Sequence, residues 1–536
     1  MPDTTSMPDT NSMPDATGMP DTIHRLLQHR AALDPRKPMM IDPVDRISYA
    51  ELDSTTRLLA AGFIDAGVGK GTRVGLIMPN GVGWARTALA LMRIGAVLVP
   101  LSTLLPAREL VAHLRVASVQ ALVTVEEFRG HRYLDELCNE LSAPQLSTGT
   151  LCYPALPALR RLWTAEELDQ VHADDRAAAV VDALAGSVTP SDTLVVMFTS
   201  GSSGPPKGVV HSHGSAIGAV RSGLADRCVD ADSRLYLPMP FFWTGGFGGG
   251  LMTALVAGAT LVTESVHRPE ATLRLLERER VTLFRGWSDQ AEALAREATG
   301  ADLSALRPGS LPALLPHSAR PRPGARANLF GMTETFGPYC GYRADTDMPR
   351  SAWGSCGKPF EGTEVRIVDP STAEPVAAGA VGDIQLRGPH ALRGICRRSR
   401  EQIFTVDGFY PTGDLGHLDG DGFLYYHGRS DDMFKVRGAT VYPSEVQQAL
   451  QTIGGVTKAF VTNIADAHGD HVAAAVLCDT ATVTVDMLRT AARSVLSSFK
   501  VPTVWLLLDA DDTLPRLPTG KVDARRLREM LTQVSE

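Results

Sequence analysis

LVVMFTSGSSGPPKGVVHSH, residues 194–213, is the stretch on which the reading of this chain turns. The apolar run 194–198 has the length and punctuation of a buried strand. Thr199, Ser200, Gly201, Ser202, Ser203 and Gly204 follow, then two prolines, Lys207 and Gly208. Glycine and serine let a backbone turn tightly and aim several N–H groups at one point, which suits an anion. The hydroxyls add donors, and Lys207 adds a mobile point charge. The stretch reads as a polyphosphate cradle; a plain Gly/Ser linker has no need of a buried strand before it and a lysine behind it. A Walker-type loop is excluded, because GxxxxGK[ST] does not accommodate Pro205 and Pro206 before the lysine and a glycine after it.

Outward from this loop, composition narrows the options. A chain of 536 residues exceeds one compact core, so two or more domains are expected. A net charge of −8 with no basic stripe argues against a nucleic-acid partner. No stretch of ~18 apolar residues occurs, so no membrane span is expected. The most apolar segment, 88–101, is interrupted by Arg93 and reads as core. Seven cysteines without CxxC pairing fit a reducing cytoplasm and no structural zinc. Only eight lysines occur, and Lys207, Lys435 and Lys521 all sit in glycine-containing loop motifs. Where arginine carries nearly all positive charge, a retained lysine marks a place that needs a compact ammonium.

Residues 1–21 repeat a hexamer, MPDTTS-MPDTNS-MPDATG-MPD, with too little apolar content to order itself. From residue 23 the pattern is α/β: strands at 72–78, 96–100 and 121–125 alternate with helices at 81–94 and 106–116. The alternation resumes with a strand at 259–263, a helix at 269–280, a strand at 281–285 and a helix at 289–298. Residues 307–324 are proline-rich and carry no periodic pattern. After residue 420 glycine-punctuated short strands lead into a compact α+β unit: helices 443–453 and 485–496, strands 456–464, 471–479 and 503–508. The expected fold is therefore α/β, with a large N-terminal domain of mainly parallel sheets at 23–429 and a small α+β domain at 430–536.

Four further motifs carry chemistry. NLFGMTETFG, 328–337, places Glu334 in a loop, and a carboxylate beside a polyphosphate is tolerable when it holds a bridging Mg²⁺. GFYPTGDLG, 408–416, sets Asp414 between glycines, where a carboxylate can accept two hydrogen bonds from a ribose diol. GRSDDMFKVRG, 428–438, is a charged hairpin at the domain boundary. LPRLPTGKVDARRL, 514–527, presents Lys521 on a turn before a helix.

The five motifs, in this order, resemble those of the adenylate-forming superfamily of acyl-CoA synthetases, carrier-protein adenylation domains and luciferases, and most of all an acyl-CoA synthetase. The resemblance covers nearly the whole chain. It implies that residues 199–204 and Lys207 grip ATP phosphates, that Gly331, Met332 and Thr333 line the nucleotide, and that Glu334 holds Mg²⁺. It implies that Asp414, assisted by Arg429, binds ribose and that Asp431 is the hinge of a mobile C-terminal lid. Lys521 then serves adenylation and Lys435 the second half-reaction.

Two departures stand out. Trp243, in PMPFFWTGG, replaces the usual histidine, so that Phe242, Trp243, Gly245, Gly246 and Gly248 shape an apolar, roomy acyl pocket. The adenine-pocket loop expected near 305–325 is not visible in LPALLPHSARPRPG. The implied activity converts a carboxylic acid and ATP to acyl-AMP and then to acyl-CoA. A separate carrier protein is the alternative acceptor. A pocket without a charge for an ammonium disfavours α-amino acids. The acid stays open, and the oligomeric state too, with a homodimer carried as an expectation.

Overall fold

The computed structural model describes residues 20–143, 153–168, 175–199, 206–298, 300–430, 434–436, 439–466, 469–516 and 522–535. All but the last two residues of the N-terminal repeat fall outside that set.

The βαβ units expected at 72–125 form as Arg73–Ile77, Val82–Arg93, Val97–Pro100, Ala107–Val116 and Ala121–Thr124. Pro106 opens the second helix, where its missing N–H leaves nothing unpaired. The three strands pair in parallel, extended by Arg161–Thr164 on one side and Thr193–Thr199 on the other. The chain then doubles back. Lys207–Ser212 runs antiparallel to Thr193–Thr199, and Gly394–Ile395 completes a seven-stranded sheet. Val97–Pro100 and Ala121–Thr124 are buried along their whole length, as continuous apolar runs in a parallel sheet require.

A second sheet of five strands sets Leu283–Phe284, Arg234–Tyr236, Thr260–Val262 and Pro38–Ile41 in parallel, with Arg46–Ser48 antiparallel at the edge. The largest core runs between the sheets and joins Ile23, Leu52, Trp84, Leu98, Leu235 and Leu255. Arg93 lies inside it at 1 % exposure, yet it is paired: it ion-pairs with Asp53 and donates to Thr56 Oγ1 at 2.9 Å and to His24 Nδ1 at 3.1 Å. A buried guanidinium is tolerated only with such a full set of acceptors.

Glu364–Val368, Gly382–Arg387, Tyr410–Leu418 and Leu424–Arg429 build an antiparallel four-stranded sheet. From Phe434 onward the chain packs a core of its own, in which Phe434, Val446, Leu450, Val461, Leu488 and Trp505 meet. Its strands Val456–Asp466 and Gly469–Cys478 pair antiparallel, Val504–Leu508 joins in parallel, and helices Pro443–Gln451, Val485–Val495 and Ala524–Ser535 accompany them. The unpatterned segment 307–324 makes two 3₁₀ turns, Pro312–Leu314 and His317–Ala319. Arg320 closes them by donating to the carbonyls of Leu315 at 2.9 Å and Ala313 at 3.1 Å. No helix among the described residues is long and apolar enough to cross a membrane.

Candidate active site

Thr199 and Lys207 face each other in register where Thr193–Thr199 and Lys207–Ser212 meet, so residues 200–206 connect two adjacent strand ends. Lys207 therefore enters from a fixed strand rather than a loop. Its ammonium ion-pairs with Glu334 and donates to the Tyr410 hydroxyl at 2.8 Å, while Tyr410 donates to Glu334 Oε1 at 3.0 Å. Three motifs converge in this triangle. Glu334 is only 4 % exposed, and burial together with the Glu334 charge pushes the Tyr410 phenol far above its ordinary range.

Glu334 sits on a 3₁₀ turn, Thr333–Thr335, between strands Phe330–Met332 and Gly337–Gly341. Gly331, Met332 and Thr333 thus flank it directly. The Thr335 hydroxyl ties the turn by donating to the carbonyl oxygens of Met332 at 3.1 Å and Gly337 at 2.7 Å. Asp414 and Arg429 face each other on adjacent strands, with Arg429 Nη1 donating to Asp414 Oδ1 at 3.2 Å and to the Thr412 carbonyl at 2.9 Å. Burial raises the Asp414 carboxyl from 3.8 to about 6, against the pull of Arg429, and the Glu334 charge contributes to the rise. His211 and His213, on and just after the Lys207 strand, are held neutral by burial, each pushed down to about 4.

On the other flank, the turn bearing Phe241, Phe242 and Trp243 is clamped by Asn80. The Asn80 amide donates to the Met239 carbonyl at 2.8 Å and accepts from Phe241 N–H at 2.9 Å. Trp243 is half-buried, edge-on to Phe242 with ring centroids 5.3 Å apart. A continuous helix follows, Thr244–Gly246, a π segment Phe247–Met252, and Thr253–Ala257. The glycines here were expected to leave room, but two of them leave none. A Cβ on Gly246 would strike the Pro240 and Met239 carbonyls, and one on Gly248 would lie 2.7 Å from the Phe336 carbonyl oxygen. They permit close backbone approach instead.

Ser200, Gly201, Ser202, Ser203, Gly204, Asp431 and Lys521 lie outside the described residues. Lys435 lies on the strand Phe434–Val436, opposite Thr440. Tyr410 and Asn80 are functional candidates that the motifs did not single out. Tyr410 stood inside a quoted motif, and Asn80 stood in an Asn-Gly turn.

Whether the residues fit a magnesium ion is decided by what Glu334 already holds. Its buried carboxylate is satisfied by a cationic ammonium, so the position accepts positive charge and offers a hard oxygen donor. Among the described residues no three His, Cys, Asp or Glu side chains converge. An ion bound by Glu334 would take its remaining oxygens from phosphate and water.

A family model described as AMP-binding enzyme matches residues 27–396. A feruloyl-CoA synthase from Amycolatopsis sp. is 31% identical over 92% of this chain and 96% of its own length. The putative acyl-CoA synthetase YngI from Bacillus subtilis is 29% identical over 95% of this chain and 96% of its own. Among solved structures, the o-succinylbenzoate coenzyme A synthetase MenE of Bacillus subtilis, in complex with ATP and magnesium ion, superposes with a TM-score of 0.74. It is 23% identical and covers 95% of this chain and 99% of its own.

Proposed function

This chain belongs to the AMP-binding enzyme family, and from that premise we propose that it is an AMP-forming acid–thiol ligase. It activates a carboxylic acid with ATP, releasing pyrophosphate, and passes the acyl group from acyl-AMP to coenzyme A with release of AMP. The observation that carries the reading is the convergence of Lys207, Glu334 and Tyr410 beside the Asp414–Arg429 pair. One group of residues suits a polyphosphate and the other a ribose, and both act on one nucleotide.

Residue roles follow from charge and burial. Lys207 and the loop 199–204 hold the β- and γ-phosphates, the charge that leaves as pyrophosphate. Magnesium, the ion bound by the structural neighbour with ATP, would be held by Glu334 and would supply charge neutralisation of the phosphate oxygens. Asp414 accepts from the ribose hydroxyls while Arg429 keeps its buried charge paired. Phe242, Trp243, Gly245, Gly246 and Gly248 form the wall that meets the acyl group, and Asn80 holds that wall in register with the first sheet. Residues 23–429 form the ATP- and acyl-binding domain, and residues 430–536 a lid that turns about Asp431 to exchange Lys521 for Lys435.

The wall carries no carboxylate for a substrate ammonium, and one relative is named for ferulate, an aryl-substituted propenoic acid. Aryl and other apolar acids are therefore expected to drive ATP–pyrophosphate exchange, and α-amino acids are not. A panel of carboxylates in that assay tests the reading. The acceptor is tested by the thiol: no CoA thioester with any exchanging acid, together with transfer to a holo-carrier protein, would replace coenzyme A.

A pH prediction comes from Asp414. Its folded carboxyl is raised above its unfolded value, so the stability it contributes is full below about 4 and is lost as pH rises through about 6. Ribose binding needs the ionised form. kcat/KM for ATP is expected to climb with pH through a midpoint near 6, the value in the free enzyme. Asp414→Asn should abolish this limb and melt higher than the parent above that pH. A mutant that keeps the limb would remove Asp414 from the ribose site.

A further inference from the structure

His211 has no part in the roles assigned above. It lies on the strand Lys207–Ser212 and is wholly buried. Its Nε2 is 2.7 Å from the backbone carbonyl oxygen of Thr333. A carbonyl only accepts, so Nε2 carries the proton and donates. Nδ1 is then a bare lone pair, and it is buried without a hydrogen-bond partner. Such an orphan costs the desolvation of an acceptor, and a leucine of similar bulk would carry no such cost. Space filling alone does not account for an imidazole here; its N–H does.

That N–H holds the turn bearing Glu334. The Thr333 carbonyl receives two donors, His211 and the Phe336 N–H at 3.1 Å that closes the turn. Phe336 has φ +56°, a left-handed conformation that a bulky side chain keeps only where its surroundings over-determine it. Those surroundings are specific. The Phe336 ring stands edge-on to His211 at 5.1 Å and to Phe247 at 5.6 Å, and its carbonyl lies against Gly248. The Leu392 N–H donates to the Glu334 carbonyl at 2.8 Å. One face of the turn rests on the Lys207 strand and another on the π segment of the acyl wall.

We propose that His211 is a positioning residue for adenylation, whose N–H fixes Thr333 and so aims the Glu334 carboxylate at the nucleotide's phosphates. The inference rests on the function proposed above.

His211→Leu removes the donor at similar bulk, and His211→Gln returns an amide N–H to the place of Nε2. ATP binding by calorimetry with and without Mg²⁺, the two half-reactions assayed separately, and the melting temperature are the readouts. For H211L, Mg²⁺-dependent ATP affinity and adenylation are expected to fall by about 10–100-fold, the range for groups that orient a metal ligand. ATP binding without Mg²⁺ and thioester formation from supplied acyl-AMP should stay at the parent level, and H211Q should recover most of the loss. His211→Asn keeps a polar side chain too short to reach the Thr333 carbonyl and should reproduce the pattern; it carries the test if H211L does not fold. Parent-level Mg²⁺–ATP affinity in H211L, no recovery in H211Q, or equal loss in both half-reactions would overturn the assignment. A parent protein that exchanges pyrophosphate with no acid would sink the functional reading, while the calorimetry still decides the role of His211.

Discussion

Lys521→Ala is expected to slow adenylate formation by about 10²–10³-fold while sparing thioester formation from supplied acyl-AMP. As the carboxylate oxygen bonds to the α-phosphorus and the bond to pyrophosphate breaks, the five-coordinate transition state gathers negative charge on the α-phosphate oxygens. An oriented ammonium at that point stabilises the transition state more than the ground state. Arg516 and Val522, which flank residues 517–521 in the chain, pair in an antiparallel bridge, and helix Ala524–Ser535 follows directly. Such a bridge suits the delivery of one charge from the small domain. Lys435→Ala is expected to show the opposite pattern, with adenylation intact and thioester formation lost. Single-turnover assays of each half-reaction decide it. Equal loss of both halves in both mutants would end the two-conformation account.

The second large effect is expected from Glu334→Gln. Glutamine keeps the size of the side chain and an acceptor for Tyr410, so the buried triangle survives in shape. The charge does not survive, and with it goes the group proposed to hold the metal. ATP–pyrophosphate exchange should fall by at least about 10²-fold. Stability should change by less than about 1 kcal/mol, because Lys207 is 26% exposed and water can replace its partner. A mutant that melts with the parent yet exchanges at the parent's rate would exclude Glu334 from the phosphates.

Much of this was readable in one dimension, and the physical reason is locality. Strands at 72–78, 96–100 and 121–125 declare themselves because glycine, proline and a following helical period bracket short apolar runs. Structure trims the first by one residue at each end, the second by one at its start and the third by one at its end. Segment 307–324 stayed silent because its turns are closed by Arg320 and carry no period. Gly246 and Gly248 misled for a related reason. Whether a missing side chain leaves a void or admits another backbone depends on Phe336 and Pro240, which sequence does not set beside them. Lys207 and Glu334 were legible from motif chemistry. Their companions were not: Tyr410 meets Lys207 across 203 positions, His211 meets Thr333 across 122, and Asn80 meets Phe241 across 161. A hydrogen bond spanning such distances leaves no spacing to read.

If Lys207 takes the phosphates and Glu334 the metal, as proposed, their ion pair makes the site a coincidence detector. Each partner then offsets the other's charge until Glu334 gains another cation and Lys207 another anion. Free nucleotide alone, by drawing Lys207 away, would leave the buried Glu334 carboxylate without its cation, the costlier of the two ways to open the pair. On the roles proposed above, the chelate of the two satisfies both partners at once, so the resting protein is expected to take metal-loaded nucleotide in preference to unloaded nucleotide.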